Sequence, residues 1–330
     1  MGDTKKSFYK NTAARGIYVD GAQGSSHKVT LPNLRIGCFF DGTGNNAMDH
    51  PSFLSNVGKL WYAYGKEEAN HIRKVYVRGV GTKQKAPHDD SLDNDLVLGA
   101  AFGQAGHSRI NFMVCAIKEI IDEYVTHHNG QYPLRIWLDV FGFSRGAALA
   151  RHFTYLVANK KMSLSSYYKK PLRNGLNVCD IIKVNFLGIF DTVGSFGIPG
   201  DNVDQMFNFE IKPTSVRYCY HIVSHDEIRE NFDLQSLKSK ITHSDVIFPE
   251  NVDSVESLIG PDIKKRPQPF IIEVTGEGVH SDIGGGYQEL SAKKIFIEEP
   301  EDPLIEHGIL ANDDLGRYHC QEMYRVALLC

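Results

Sequence analysis

Short, wholly apolar runs alternate along this chain with longer stretches whose apolar side chains recur every three or four positions. LRIGCFF (34–40) is apolar almost throughout and is cut off by Asp41-Gly42-Thr43-Gly44-Asn45-Asn46, which reads as a buried strand feeding a turn. KVYVRGVG (74–81) repeats the pattern. Ile110, Met113, Val114, Ile117, Ile120, Ile121 and Tyr124 form the i, i+3, i+4, i+7 stripe of a helix packed on a sheet. LRIWLDVFGF (134–143) predicts another strand, and the segment after it carries Leu149, Phe153, Leu156 and Val157 on one helical face. KVNFLGIF (183–190) and FIIEVT (270–275) are two further strands, and 312–330 reads as a closing helix.

Apolar strands separated by helical patterns imply parallel strands joined by crossover helices, because such a sheet is covered on both faces. The expected fold class is therefore three-layer α/β, a mostly parallel sheet with helices on both faces. Residues 1–30 are polar and rich in Gly and Ser, and are expected to be a loose lead-in to one domain spanning 31–330. Residues 195–265 lack clear periodicity. They read as an insertion after the 183–190 strand, lid-like or facing substrate, with Phe196, Ile198, Met206, Phe207 and Phe209 either contacting an apolar ligand or joining the core.

Composition narrows the partners. Thirty-six basic and forty acidic residues give a formal charge of −4, which does not point to nucleic acid. None of the six cysteines forms a C-x-x-C pair, so neither a zinc site nor a redox motif is signalled, and the thiols are expected to be reduced and mostly buried. The N-terminal segment lacks an apolar core, so no secretory signal peptide is expected, and no window is long and apolar enough to span a bilayer. The opening Met-Gly-Asp is not a myristoylation signal, because Lys6 stands where Ser or Thr is needed.

The chemistry concentrates at Gly142-Phe143-Ser144-Arg145-Gly146, a G-x-S-x-G pattern placed where a buried strand meets a helix. A serine on that turn is pushed out of the sheet, and small neighbours let strand and helix backbones approach closely. Its hydroxyl is a poor nucleophile at neutral pH. It needs a base within hydrogen-bond reach and a partner that fixes the base. Asp191, just past the 183–190 strand, and His280, just past the 270–275 strand, follow in the order Ser, acid, His and would stand at the same sheet edge. The expected oxyanion donors are the Arg145 backbone N–H and one from the first loop, at Gly42 or Thr43. Asp41 and Asn45 are read as loop supports.

Other readings compete. Asp226 is an alternative acid. His225-Asp226-Glu227 and His280-Ser281-Asp282 carry metal-binding side chains but lack a spacing that specifies geometry, so no metal and no cofactor is expected. The Asp41–Asn46 loop lacks the Gly-Lys-Ser/Thr of a nucleotide-binding loop. A non-catalytic interaction module on the same fold and a hydrolase of soluble esters or thioesters are the remaining alternatives.

The ordered segments Phe39–Asn46, Arg78–Thr82, Leu98–Gly103, Gly142–Ala148 with Ala150-Arg151, Phe190–Ser195, Asp226–Arg229 with Phe232, and Gly278–Tyr287 together resemble the bacterial α/β-hydrolase group that includes the G-x-S-x-G phospholipase effectors of type VI secretion. The resemblance places that group's catalytic serine, aspartate and histidine on Ser144, Asp191 and His280. It implies a serine hydrolase of phospholipase A type acting on acyl esters of glycerophospholipids in the membranes of competing bacteria. It also implies a spike or tip partner for delivery, a cognate immunity protein, and export by the type VI machinery from the bacterial cytoplasm to a target-cell periplasm. Known effectors are often longer, with extra membrane-associating segments.

Overall fold

Each of the apolar runs becomes a strand. The computed structural model describes residues 32–330 apart from 49–53, 66–70, 83, 87–88, 94–100, 167, 169–170, 173–174, 196–206, 230–231, 238–245, 250–262, 266 and 287–312. Strands β1 (Leu34–Phe40), β2 (Ile72–Val77), β5 (Ile136–Phe143), β6 (Ile182–Phe190), β7 (Val216–Ser224), β8 (Val246–Ile247) and β9 (Phe270–Gly276) form one seven-stranded sheet in the order β2-β1-β5-β6-β7-β9-β8. Every pairing in it is parallel. A two-stranded antiparallel hairpin, β3 (Gln84–Ala86) with β4 (Asp89–Asp93), stands apart.

Helices cover both faces, as an all-parallel sheet requires. On one face α2 (Ala101–His127) and α3 (Arg145–Ala158) bury Ile110, Met113, Ile117, Ile121, Leu149 and Phe153 against Ile36, Leu138 and Val140. On the other, α1 (Asn56–Ala63) and a C-terminal helix, α6 (Asp313–Leu329), bury Val57, Leu60, Met323 and Val326 against Phe39, Phe141, Phe186 and Tyr220. Two short helices complete the description: α4 (Val178–Ile181) before β6 and α5 (His280–Gly284) after β9. The six cysteines are free thiols. Among the described residues no helix is long and apolar enough to cross a membrane.

One expectation is corrected. The stretch 195–265 is not simply an insertion, because Val216–Ser224 forms β7 in the middle of the sheet, between β6 and β9. The strand was hidden by Arg217, His221 and two tyrosines in its sequence and by long connections without a helical stripe on either side. Phe207 and Phe209 are buried in the core beside α3, not presented to a ligand, while Phe196, Ile198 and Met206 lie outside the described residues. So do the 1–30 lead-in and residues 98–100.

Candidate active site

The parallel sheet brings the carboxyl ends of β1, β5, β6, β7 and β9 to one edge, and the polar residues singled out above gather there. Ser144 sits between β5 and α3 with φ 57° and ψ −127°, a conformation that a non-glycine residue rarely adopts. The turn is made possible by its flanks. A Cβ on Gly146 would lie 2.3 Å from the Phe40 and Asp41 carbonyl oxygens, and one on Gly142 would lie 2.6 Å from the Ala147 Cα. Any side chain at either position would push α3 off the sheet.

The turn is stitched to the end of β6. Ser144 N–H donates to Phe190 O at 3.1 Å, and Val193 N–H donates to Ser144 O at 3.3 Å, so the serine backbone is bonded on both sides of Asp191. Asp191 is itself at positive φ, 36°. Its Oδ1 accepts the Ser224 N–H at 2.9 Å, and its Oδ2 accepts the Ser224 hydroxyl at 3.0 Å and His280 Nδ1 at 2.6 Å. Burial pushes this carboxyl up, but the hydrogen bond and charge of His280, helped by Ser224, outweigh it and hold it below the ordinary aspartate value.

His280 opens α5 and is buried. Its ring makes tilted contacts with Phe143 and Phe232, each 4.7 Å away centroid to centroid, and the Arg229 guanidinium sits 4.0 Å from the Phe232 ring. The His280 N–H donates to Glu227 Oε2 at 3.2 Å, and Glu227 is held by a two-pronged contact to Arg229 (2.7 and 2.6 Å). These contacts fix both the backbone and the ring of the histidine and leave Nε2 as its one nitrogen without a partner among the described residues. No hydrogen bond joins Ser144 Oγ to His280. Such contacts are commonly long in ligand-free sites and tighten on binding.

The first loop packs on the same turn. Asp41 Oδ1 accepts from Gly42 N–H (2.8 Å) and the Ser55 hydroxyl (2.5 Å), and Oδ2 accepts from the Tyr76 hydroxyl (2.5 Å). Burial dominates those three donors and raises this carboxyl to about 6. The Gly42 N–H is thus given to Asp41, whereas the Thr43 N–H makes no hydrogen bond among the described residues. Asn45 ties the loop down: its N–H donates to Gly42 O (2.9 Å) and its carbonyl accepts Gly79 N–H (3.0 Å). Arg145 starts α3, where N–H groups lack intrahelical acceptors, and its guanidinium bonds Thr43 Oγ1 (2.9 Å) and Ser195 O (2.8 Å), strapping the first loop to the loop after β6.

The competing acid is elsewhere. Asp226 Oδ2 accepts Gly278 N–H (2.9 Å) and Oδ1 contacts His225 Nδ1 (2.7 Å), so it clamps the loop after β9 and does not face the His280 ring. Asp282 caps its own short helix through Val279 N–H (2.9 Å), and burial raises it to about 6. Among the described residues no group of three or more His, Cys, Asp or Glu side chains is arranged to hold a metal. Sequence reasoning assigned no role to Ser224, Arg229 or Phe232, and weighed Glu227 only as a metal ligand. The Asp226–Arg229 segment with Phe232 was visible as a motif, but its partners are fifty residues away along the chain.

Comparison with known proteins follows the same outline. The model of a family described as the catalytic domain of Tle1-like type VI secretion phospholipase effectors matches residues 35–167 and 160–302. No curated protein matches. A solved structure of an uncharacterized protein from Pseudomonas aeruginosa is 20% identical and covers 91% of this chain and 46% of its own, with a TM-score of 0.50. The Tle1 effector bound to the VgrG spike of the type VI secretion system is 22% identical over 82% of this chain and 56% of its own, TM-score 0.47. Carboxyl esterase 2 from the mycorrhizal fungus Tuber melanosporum is 9% identical over 89% of this chain and 78% of its own, TM-score 0.36. The chain thus spans about half the length of the first two solved structures.

Proposed function

Because the chain belongs to the Tle1-like phospholipase effector family of type VI secretion, we propose that it is a serine hydrolase cleaving acyl esters of membrane glycerophospholipids. The observation that carries the reading is the buried 2.6 Å contact between His280 Nδ1 and Asp191, formed beside a serine held on a strained strand-to-helix turn.

The chemistry follows from these positions. Asp191 holds the Nδ1–H tautomer of His280, which leaves Nε2 as a base. Ser144 Oγ attacks the ester carbonyl as its proton passes to Nε2, and the ionised Asp191 stabilises the imidazolium. The Arg145 and Thr43 N–H groups stabilise the oxyanion. Collapse of the tetrahedral intermediate breaks the acyl C–O bond, and the imidazolium protonates the departing lysolipid alcohol. Water, deprotonated by the same imidazole, then frees the fatty acid and restores the serine.

Delivery by a type VI spike or tip protein, a cognate immunity protein in the producer, and action on the membranes of a target-cell periplasm belong to the same proposal. They are supported by family membership and by the spike-bound Tle1 structure. The test is product analysis by mass spectrometry on defined phospholipids. The expected products are lysophospholipid and fatty acid, with kcat lowered about a thousandfold or more by Ser144→Ala while vesicle binding persists. An undiminished rate in that variant overturns the proposal. Faster turnover of short soluble esters than of vesicle lipid would favour the soluble-ester reading instead.

A further inference from the structure

A second histidine–carboxylate pair lies beside the first and has no part in the steps above. His221 on β7 and Glu273 on β9 are register partners in adjacent parallel strands, and both are buried. Polar groups in two central strands are costly unless each finds a partner, and here each does. Glu273 Oε1 accepts from the Ser236 hydroxyl (2.5 Å), and Oε2 accepts from Leu237 N–H (2.6 Å) and contacts His221 Nδ1 (2.9 Å). On the other side of the ring, Nε2 faces the Thr192 N–H at 3.3 Å and the Thr192 hydroxyl at 3.1 Å. A backbone N–H can only donate, so Nε2 is an acceptor. The ring N–H is therefore at Nδ1, facing the Glu273 carboxylate.

What this network holds is the peptide that carries the acid. Thr192 directly follows Asp191, and its carbonyl accepts Gln235 N–H at 2.8 Å, while Val193 bridges to Leu234. Glu273 thus reaches the Asp191–Thr192 peptide through one imidazole. Through its own oxygens it reaches Ser236 and Leu237, on the segment whose Phe232 lies against His280. Asp191, at φ 36°, adopts a conformation that persists only where its surroundings over-determine it.

We propose that His221 and Glu273 are positioning residues for the reaction assigned to Ser144, Asp191 and His280: they fix the Asp191–Thr192 peptide so that the Asp191 carboxylate meets His280 Nδ1. The inference rests on the serine-hydrolase reading. Among the described residues, the charged groups near His280 are Asp191, after β6, Glu227 with Arg229, after β7, and Asp282 on the helix that His280 opens, which is tied to Val279 N–H. None is touched by the substitutions below.

The experiment compares His221→Phe, His221→Gln and Glu273→Gln in the full chain, using steady-state kinetics across pH on a soluble acyl ester. A glutamine side-chain oxygen can accept the Thr192 N–H; a phenylalanine ring cannot. His221→Phe is expected to lower kcat about tenfold to a hundredfold, the scale of an ångström-level misplacement, with KM within about twofold. It should also move the acid limb of kcat/KM to lower pH, because a carboxylate set back from the imidazole stabilises the imidazolium less. His221→Gln should recover kcat to within about threefold of the wild type, since its side-chain oxygen restores the hydrogen bond that holds the Thr192 N–H. Glu273→Gln should fall between. Absent fluorophosphonate labelling of the wild type, or full activity in Ser144→Ala, removes the underlying hydrolase reading. With both controls as expected, an unchanged kcat and acid limb in His221→Phe overturns the positioning role. Equal losses for Phe and Gln, or a lower Tm with an unmoved acid limb, overturn it as well by assigning the pair to stability alone. If His221→Phe does not fold, Glu273→Gln decides by the same kcat and acid-limb readouts.

Discussion

Two imidazoles, each bonded through Nδ1 to a buried carboxylate, stand at the ends and middles of neighbouring strands, and they differ in what the other nitrogen meets. His280 lies against Phe143 and Phe232, and its Nε2 has no hydrogen-bond partner among the described residues. His221 has Nε2 closed off by Thr192 in the sheet interior. The lesson is that a histidine–carboxylate contact of 2.6 or 2.9 Å does not mark a base by itself. Chemistry depends on the free face of the ring, and the same pair turned inward becomes a fastening.

The comparison can be broken at its strongest point first. Asp191→Asn should lower kcat by about four powers of ten, because the amide favours the wrong imidazole tautomer. It should leave the fold intact by circular dichroism. A mild effect there, with a severe one for Asp226→Asn, would mean that the acid is misassigned. Glu273→Ala should lose stability as well as rate, the rate by about tenfold to a hundredfold as Asp191 is displaced. It removes one member of a buried pair and leaves His221, Ser236 and Leu237 without their acceptor, so urea denaturation should report a loss of about 3 kcal/mol or more.

The pH dependence of stability sharpens the contrast further. Although burial raises the Glu273 carboxyl, the hydrogen bond and charge of His221, with hydrogen bonds from Ser236 and Leu237, bring it down to about 2. The folded state then binds fewer protons than the unfolded one, so this stabilisation is present above the usual glutamate range and is lost as pH falls toward about 2. Asp41 has the opposite sign. Raised to about 6 by burial, it stabilises the fold when protonated, and that contribution is lost as pH rises through about 6. Unfolding curves of Glu273→Gln should flatten on the acid side, and those of Asp41→Asn between about pH 4 and 6. Phe232→Ala should have the smallest effect. Losing one ring contact to His280 is worth about 1 kcal/mol, or roughly fivefold in kcat/KM.

Much of this was legible in the chain before any coordinates. β1, β5, β6 and β9 announced themselves as uninterrupted apolar runs, and Ser144, Asp191 and His280 each stood just past one of them. β7 did not, because a strand holding Arg217, His221 and two tyrosines matches neither an alternating nor a continuous apolar template. The same residue that masked the strand was a clue of another kind. A histidine in VRYCYHIVS and a glutamate in FIIEVT are polar side chains where only apolar ones sit comfortably, and each had to find a partner. Which partner, and that Thr192 would close the circuit, depends on register between strands fifty residues apart and is not written locally. The Gly42 N–H likewise looked free until its own neighbour's carboxylate claimed it.

The torsion angles of Ser144 carry a last implication. A residue held at φ 57° and ψ −127° burdens the native state by an amount on the order of 1–3 kcal/mol, and glycine would sit there at ease. Ser144→Gly should therefore melt higher than the natural protein while being inert. A laboratory search for heat-resistant variants, run without an activity screen, would drift toward discarding the hydroxyl on which the proposed reaction depends.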